Sequence, residues 1–170
     1  GKKTLVITGE RADESAGRAK YKTFEKDRSD ARDGKTRRHV DHWRPIHKWD
    51  EKQVWDIIGR WKINPHPCYQ LGWGRCSCAA CIFGSPNQWA SLKKVLPKTF
   101  DKVSELEKEF GLTINRNDSI EERAKKGTAY ESTSLPHIQE IAKSKDYTES
   151  IFVDNWKLPA GAFGESCGPT

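Results

Sequence analysis

Apolar and polar positions alternate with different periods along this chain, and the periods predict its elements. "TLVIT" (residues 4–8) is a short apolar, β-branched run, which predicts a buried strand ending at Gly9. The polar stretch "ERADESAGRAKYKTFEK" follows, with Asp13 or Ser15 placed to cap a short helix running toward Phe24. Residues 27–43 have no apolar period and contain the Asp33-Gly34 turn pair, so they read as a polar loop. Pro45 disfavours helix at Arg44, so 43–49 is expected to be extended. Over 49–63 the period becomes helical. Asp50 is the N-cap, Gln53 completes a capping box, and Val54, Ile57, Ile58 and Trp61 share a face until Asn64-Pro65.

Past the Cys-rich segment 64–85 the pattern stays helical. Pro86 opens one helix and Pro97 another, the latter with Phe100, Val103, Leu106 (or Glu107) and Phe110 in phase and Gly111 as its stop. "SIEERAKKG" and "LPHIQEIAKSK" predict two shorter helices, and 156–170 is a Gly/Pro-rich irregular tail. An early strand followed mainly by helices is the order of the second half of an α/β domain, so 1–170 reads as one domain that forms the carboxyl part of a larger one.

Composition sharpens this picture in two ways. The 170 residues suit one domain, and although the chain is 32% charged, seven Trp, six Phe and four Tyr provide large groups for a core, with Trp43, Trp49, Trp55 and Trp61 the simplest candidates. The chain has no Met and opens almost directly on a strand, so residue 1 is not expected to be the native start. No run of 18 apolar residues exists, which predicts no membrane span.

The net charge is +6, and Arg28, Arg32, Lys35, Arg37 and Arg38 cluster within eleven residues. An anionic partner, nucleotide phosphate or nucleic acid, fits that excess, as does a solvated basic loop. Four of five cysteines fall between residues 68 and 81, too close together to staple a fold. This argues against a secreted disulfide framework and for thiol or metal chemistry in a reducing cytoplasm.

Two stretches carry candidate chemistry. In "GERADESAGR", Gly9 follows a strand and permits close approach of a ligand, Arg11 and Arg18 offer forked donors, and Glu14 and Ser15 stand at a helix start. In "NPHPCYQLGWGRCSCAACIFGS", Cys78-x-x-Cys81 has the spacing of two thiolates on one metal. Cys68 and Cys76 are available to complete a four-thiolate site, and His66 is a further candidate. Both Zn²⁺ and a [4Fe–4S] cluster take four cysteines, and buried hydrophobic roles for Cys68 and Cys76 are the plain alternative. Cys167 lies apart in the tail "GESCGPT". His39 and His42, beside Arg37 and Arg38, are candidates to touch a phosphate.

The strand ending in "TGERADESAGR" resembles the G-x-R-x-x-E-S-x-x-R element of the phosphoadenosine phosphosulfate (PAPS) reductase family. "RPIHKWDEKQVWDII" resembles that family's next stretch through Pro45, Ile46, Trp49, Val54, Trp55 and Ile58. The Cys-rich segment is similar to the H-P-x-Y-x-x-G-x-x-R-x-x-C-x-x-C stretch of its Cys-pair branches through His66, Pro67, Tyr69, Gly72, Arg75, Cys78 and Cys81.

The resemblance covers residues 4–85 and implies an adenine-nucleotide α-hydrolase-like (Rossmann-like) fold, seen as its carboxyl half with few strands and mostly helices. It implies an adenylyl nucleotide, PAPS or ATP, as substrate, with Gly9, Arg11, Glu14, Ser15, Arg18, Arg37 and Arg38 near its anionic groups. It also implies sulfur reduction or transfer, and in some branches an iron–sulfur cluster. The family's "SGGKDS"-like phosphate loop does not occur in this sequence, so an upstream segment or chain is expected to carry it. The assimilatory reductases place a nucleophilic cysteine in a terminal "ECG" tail, which Cys167 matches loosely.

Two function classes follow. One is a sulfur-metabolism enzyme of the phosphoadenylyl-sulfate reductase or sulfurtransferase kind, with a thiol carrier protein or a nucleic acid as acceptor. The other is a nucleic-acid-interacting protein, such as a DNA or tRNA sulfur-modification component, whose basic loop grips phosphates and whose Cys site is structural.

Overall fold

The structure, a computed structural model, describes residues 2–165 and is mixed α/β, with three short strands and seven α-helices among them. The chain divides into two compact units, the first running to Ile57 and the second starting at Ile58.

The first unit is built on a three-stranded sheet in the order β1-β3-β2, with β1 at Lys3–Ile7, β2 at Phe24–Lys26 and β3 at His39–Trp43. β1 runs parallel to β3, pairing Lys3 with His39 through to Ile7 with Trp43, and β2 runs antiparallel to β3. The strand expected at 4–8 is present but not buried: Leu5 is 48% and Ile7 57% exposed, because β1 is an edge whose ladder is made only to β3.

The helix expected toward Phe24 is a single turn, α1 (Ala16–Ala19), and Phe24 starts β2 instead. Its cap is Ser15, whose hydroxyl accepts the Arg18 N–H at 3.2 Å. The polar loop expected over 27–43 ends in the central strand of the sheet. In "HVDHW" only Val40 is buried, and neighbours on both sides satisfy the backbone, so ladder pairing outweighs the missing apolar period.

Helix α2 covers Glu51–Arg60 and begins as its sequence dictates. The Asp50 carboxylate accepts the Gln53 N–H at 2.7 Å, and the Gln53 side chain accepts the Asp50 N–H at 3.0 Å. Its one buried residue is Trp55, while Trp61, beyond its end, is 63% exposed; Trp43, also expected in a core, is 40% exposed.

The second unit is helical: α3 (Pro67–Gln70), α4 (Pro86–Val95), α5 (Pro97–Phe110), α6 (Ile120–Lys125) and α7 (Pro136–Lys143). Trp89, Leu92, Phe100, Ile120 and Ala124 form its main core, with Ala79 and Ala80 of the Cys-rich turn packed against it. Leu71, Trp73 and Val95 form a second cluster that Cys68 joins. Burial of Trp89, Leu92 and Phe100 contributes about 1.5–3 kcal/mol each or more, which anchors the turn between α3 and α4.

Helix α5 stops at Gly111, in the left-handed region at φ 62°, as expected. Its buried face is Phe100, Ser104 and Glu107, whereas Leu106 and Phe110 are exposed. The face turns toward Glu107 because that carboxylate accepts the N–H groups of Ile114 and Ile120, both at 2.9 Å.

Candidate functional site

The two stretches of candidate chemistry lie one in each unit. In the first unit, Arg11, Glu14, Ser15 and Arg18 lie together just after β1. Arg11 is largely buried, and its guanidinium reaches Asp13 at 3.3 Å, Glu14 at 3.6 Å and the Trp49 carbonyl at 3.4 Å. Arg18 pairs with Glu14 and keeps a half-exposed side chain. Gly9 stands where a Cβ would meet Ile46 only at an ordinary 3.7 Å, so packing of the chain itself does not demand glycine there.

The basic stretch divides into two kinds of residue. Arg32 is paired with Asp30 and Asp41, and Arg38 donates to the Ser29 carbonyl at 2.6 and 2.9 Å. Arg28, Lys35 and Arg37 are exposed. Burial alone would raise the Asp30 pKa, but the Val40 N–H and the Arg32 guanidinium outweigh it and hold that carboxyl down at about 2.

Beside these residues is a cleft of about 570 Å³ that sequence reasoning missed, lined among others by Thr8, Glu10, Asp27, His42 and Arg44. The Thr8 hydroxyl and His42 Nε2 are 2.6 Å apart, and His42 Nδ1 lies 3.1 Å from the Asp27 carboxylate. This hydroxyl–imidazole–carboxylate chain is able to hold or pass a proton. Arg44 is buried at 6% exposure, donates to Glu25 at 2.7 Å and lies over the Tyr21 ring at 4.8 Å. The Thr8 hydroxyl is the main cause holding the Glu10 carboxyl below its ordinary pKa, with burial opposing and Arg44 assisting. A signal was present in the sequence, since His42 and Arg44 are two residues apart and share a face once 39–43 is read as a strand.

In the second unit the Cys-rich turn is held from several sides. His66 caps α3 by accepting the Cys68 N–H at Nδ1, 3.1 Å away. The Trp73 N–H returns to the Cys68 carbonyl at 3.0 Å, and the Tyr69 hydroxyl accepts the Cys76 N–H at 3.2 Å. At the far end, Arg123 of α6 donates to the Gly84 carbonyl at 2.9 Å.

The result separates the four cysteines. One ligand atom each of His66, Cys68 and Cys76 lie within 4.8 Å of one another. Cys78 and Cys81 are not part of that group. Cys78 is exposed, and Cys81 is buried with the Arg75 guanidinium 3.8 Å from its sulfur. Burial pushes the Cys68 thiol up to about 12, and the adjacent Cys76 adds to the shift. Cys167 lies outside the described residues.

The chain is thus a mixed α/β protein with an arginine-bearing segment after β1 in its first unit and a Cys-rich turn in its second. Comparison finds a family: residues 1–83 match the phosphoadenosine phosphosulfate reductase domain. The family works on an adenylyl nucleotide in sulfur metabolism. No curated protein and no solved structure matches the chain. No described helix is long and apolar enough to cross a membrane.

Proposed function

We propose that the chain is part of a sulfur-metabolism enzyme that binds an adenylyl nucleotide, PAPS or ATP, and reduces or transfers sulfur. The observation that carries this reading is the family match over residues 1–83, which includes the whole strand–Arg/Ser segment after β1. In this reading Gly9, Arg11, Glu14, Ser15, Arg18, Arg37 and Arg38 surround the nucleotide's anionic groups, and an upstream segment or chain supplies the phosphate loop. Arg11 acts as a fixed donor because its partners already orient it, whereas Arg18 and Arg37 keep exposed guanidinium groups for a ligand.

If PAPS is the substrate, a dithiol carrier supplies two electrons and leaves as its disulfide, while sulfite and adenosine 3′,5′-bisphosphate are released. Cys167 is the proposed tail nucleophile. A cytoplasmic location fits a chemistry that needs reduced thiols. As for the nucleic-acid reading, the ties of Arg32 and Arg38 to Asp30, Asp41 and Ser29 leave fewer of the basic side chains for a phosphate backbone.

The test is calorimetric titration of the full native protein with adenosine 3′,5′-bisphosphate and with ATP, repeated on R18A and R37A. Saturable binding that weakens at least severalfold in both variants supports the reading. Absence of binding to both nucleotides by the folded full-length protein refutes it.

A further inference from the structure

We propose that His66, Cys68 and Cys76 form a three-donor site for a thiophilic divalent cation of the zinc class, with a fourth position open to an adjoining cavity. This deepens the reading of the Cys-rich turn as a metal site and differs from a closed four-thiolate centre. A [4Fe–4S] cluster or a structural Cys₄ zinc needs four converging sulfurs. Among the described residues the fold instead brings two sulfurs and an imidazole together, and Cys78 and Cys81 are not part of that group.

The donor set has the chemistry and nearly the spacing required. Tetrahedral zinc with bonds of about 2.0–2.3 Å holds its donors about 3.3–3.8 Å apart. The three donor atoms lie within 4.8 Å of one another, so side-chain adjustments of about an ångström close the site. Two thiolates and one neutral imidazole form a known kind of catalytic zinc set, in which water or substrate takes the fourth place.

Nδ1 of His66 carries the ring's lone pair, since it accepts the Cys68 N–H. Coordination through Nδ1 exchanges this cap of α3 for a coordinate bond. The loss of one capping hydrogen bond is small beside the coordination of a divalent cation.

The cavity supplies the independent observation. It encloses about 170 Å³, and all three donors line it together with Leu71, Trp73 and Leu96. Trp73 is only 7% exposed, and its indole N–H is buried without a hydrogen-bond partner among the described residues. An orphaned buried donor in a native fold calls for an acceptor. A water, hydroxide or small thiolate in the fourth coordination position provides one on the cavity side of the cation. Arg75 and Lys143 also line this cavity, and positive charge there favours an anionic ligand on the metal. The site is therefore suited to holding an exchangeable anionic sulfur or oxygen ligand.

The experiment uses the full native protein, reduced and stripped of metal without oxygen, then titrated with Co²⁺ and with Zn²⁺ in the absence of nucleotide. The expected result is one cation per chain with thiolate-to-cobalt charge transfer. X-ray absorption of the zinc form should give two sulfurs near about 2.3 Å and the rest of the shell as nitrogen or oxygen. A small exogenous thiol should raise the sulfur count to three.

H66N, C68S and C76S should each lose more than the about 10–100-fold in affinity that outer-sphere changes cost, while C78S and C81S keep both stoichiometry and charge transfer. Four sulfurs in the untreated shell, loss of metal in C78S or C81S, or absence of uptake by wild type would each overturn the proposal. The wild-type absorption spectrum decides even if a cysteine variant does not fold. Because no nucleotide is present, failure here and failure of nucleotide binding are separate outcomes.

Discussion

Replacing Glu107 by alanine tests how the second unit holds the Cys-rich turn. The carboxylate is 9% exposed and accepts two backbone N–H groups, Ile114 and Ile120, each at 2.9 Å. Hydrogen bonds to a charged acceptor contribute about 1.5–3 kcal/mol each, so the pair amounts to about 3–6 kcal/mol. Alanine leaves both donors without an acceptor, and the Ile120 bond lies in the buried first turn of α6. At about 2–4 °C per kcal/mol for a chain of this size, the midpoint of thermal unfolding should fall by at least roughly 6 °C.

E107Q keeps one acceptor and turns an amide N–H toward the second donor, so it should lie between wild type and E107A. The effect should reach the turn, because α6 also carries Arg123, which holds the Gly84 carbonyl. The buried Cys81 thiol should therefore react faster with a thiol reagent in E107A under native conditions. Circular dichroism melts and timed thiol labelling read both effects. A loss below about 1 kcal/mol in E107A, with Cys81 labelling unchanged, would refute the assignment of Glu107 as the clamp between α5 and α6.

Two further outcomes follow from the same geometry. At Gly161 an added Cβ would lie 2.1 Å from the Trp73 carbonyl oxygen and 2.9 Å from that of Tyr69, both rigid backbone atoms. G161A should destabilise the second unit by about 1–3 kcal/mol or more in a denaturant titration, and a neutral result would contradict this close approach. In the first unit, Glu10, Asp27, Asp30 and Asp41 all have folded pKa values below their ordinary ones. Their contribution is present above about pH 4 and is lost as the pH falls through the folded values, for Asp30 from 3.8 toward about 2. Stability of the unit should fall steeply over that window, as read by tryptophan fluorescence, and D30N should flatten the slope; a slope unchanged in D30N would remove Asp30 from this account.

What could be read from the sequence was mostly what local chemistry decides. The Asp50–Gln53 capping box, the Ser15 cap and the Gly111 stop each depend on residues within one helical turn, and all three occur where expected. Strand β3 was illegible because "HVDHW" has one buried apolar residue and gains its place from ladders to two distant segments. The α5 face was legible in part: Phe100 and the Glu107 alternative are buried, whereas Leu106 and Phe110 are exposed. Phe110 has the right period, but burial went to Glu107 because a carboxylate that pairs two remote N–H groups is cheaper to bury than its charge suggests.

The cysteines extend this logic to the site. A C-x-x-C spacing is a local rule, and it directs attention to Cys78 and Cys81. Whether sulfurs meet depends instead on how the chain folds back. Here the Trp73 N–H on the Cys68 carbonyl closes the first part of the turn, and the Tyr69 hydroxyl fixes Cys76 beside it. Those bonds bring together a sulfur eight residues away and an imidazole ten residues away, distances at which spacing carries no metal rule. Leu71 and Trp73, which lie between them in sequence, become the apolar wall of the cavity next to the donors. The same segment thus builds a donor set and an apolar surface beside it. This combination, rather than the number of cysteines, makes His66, Cys68 and Cys76 the place where metal chemistry is to be sought.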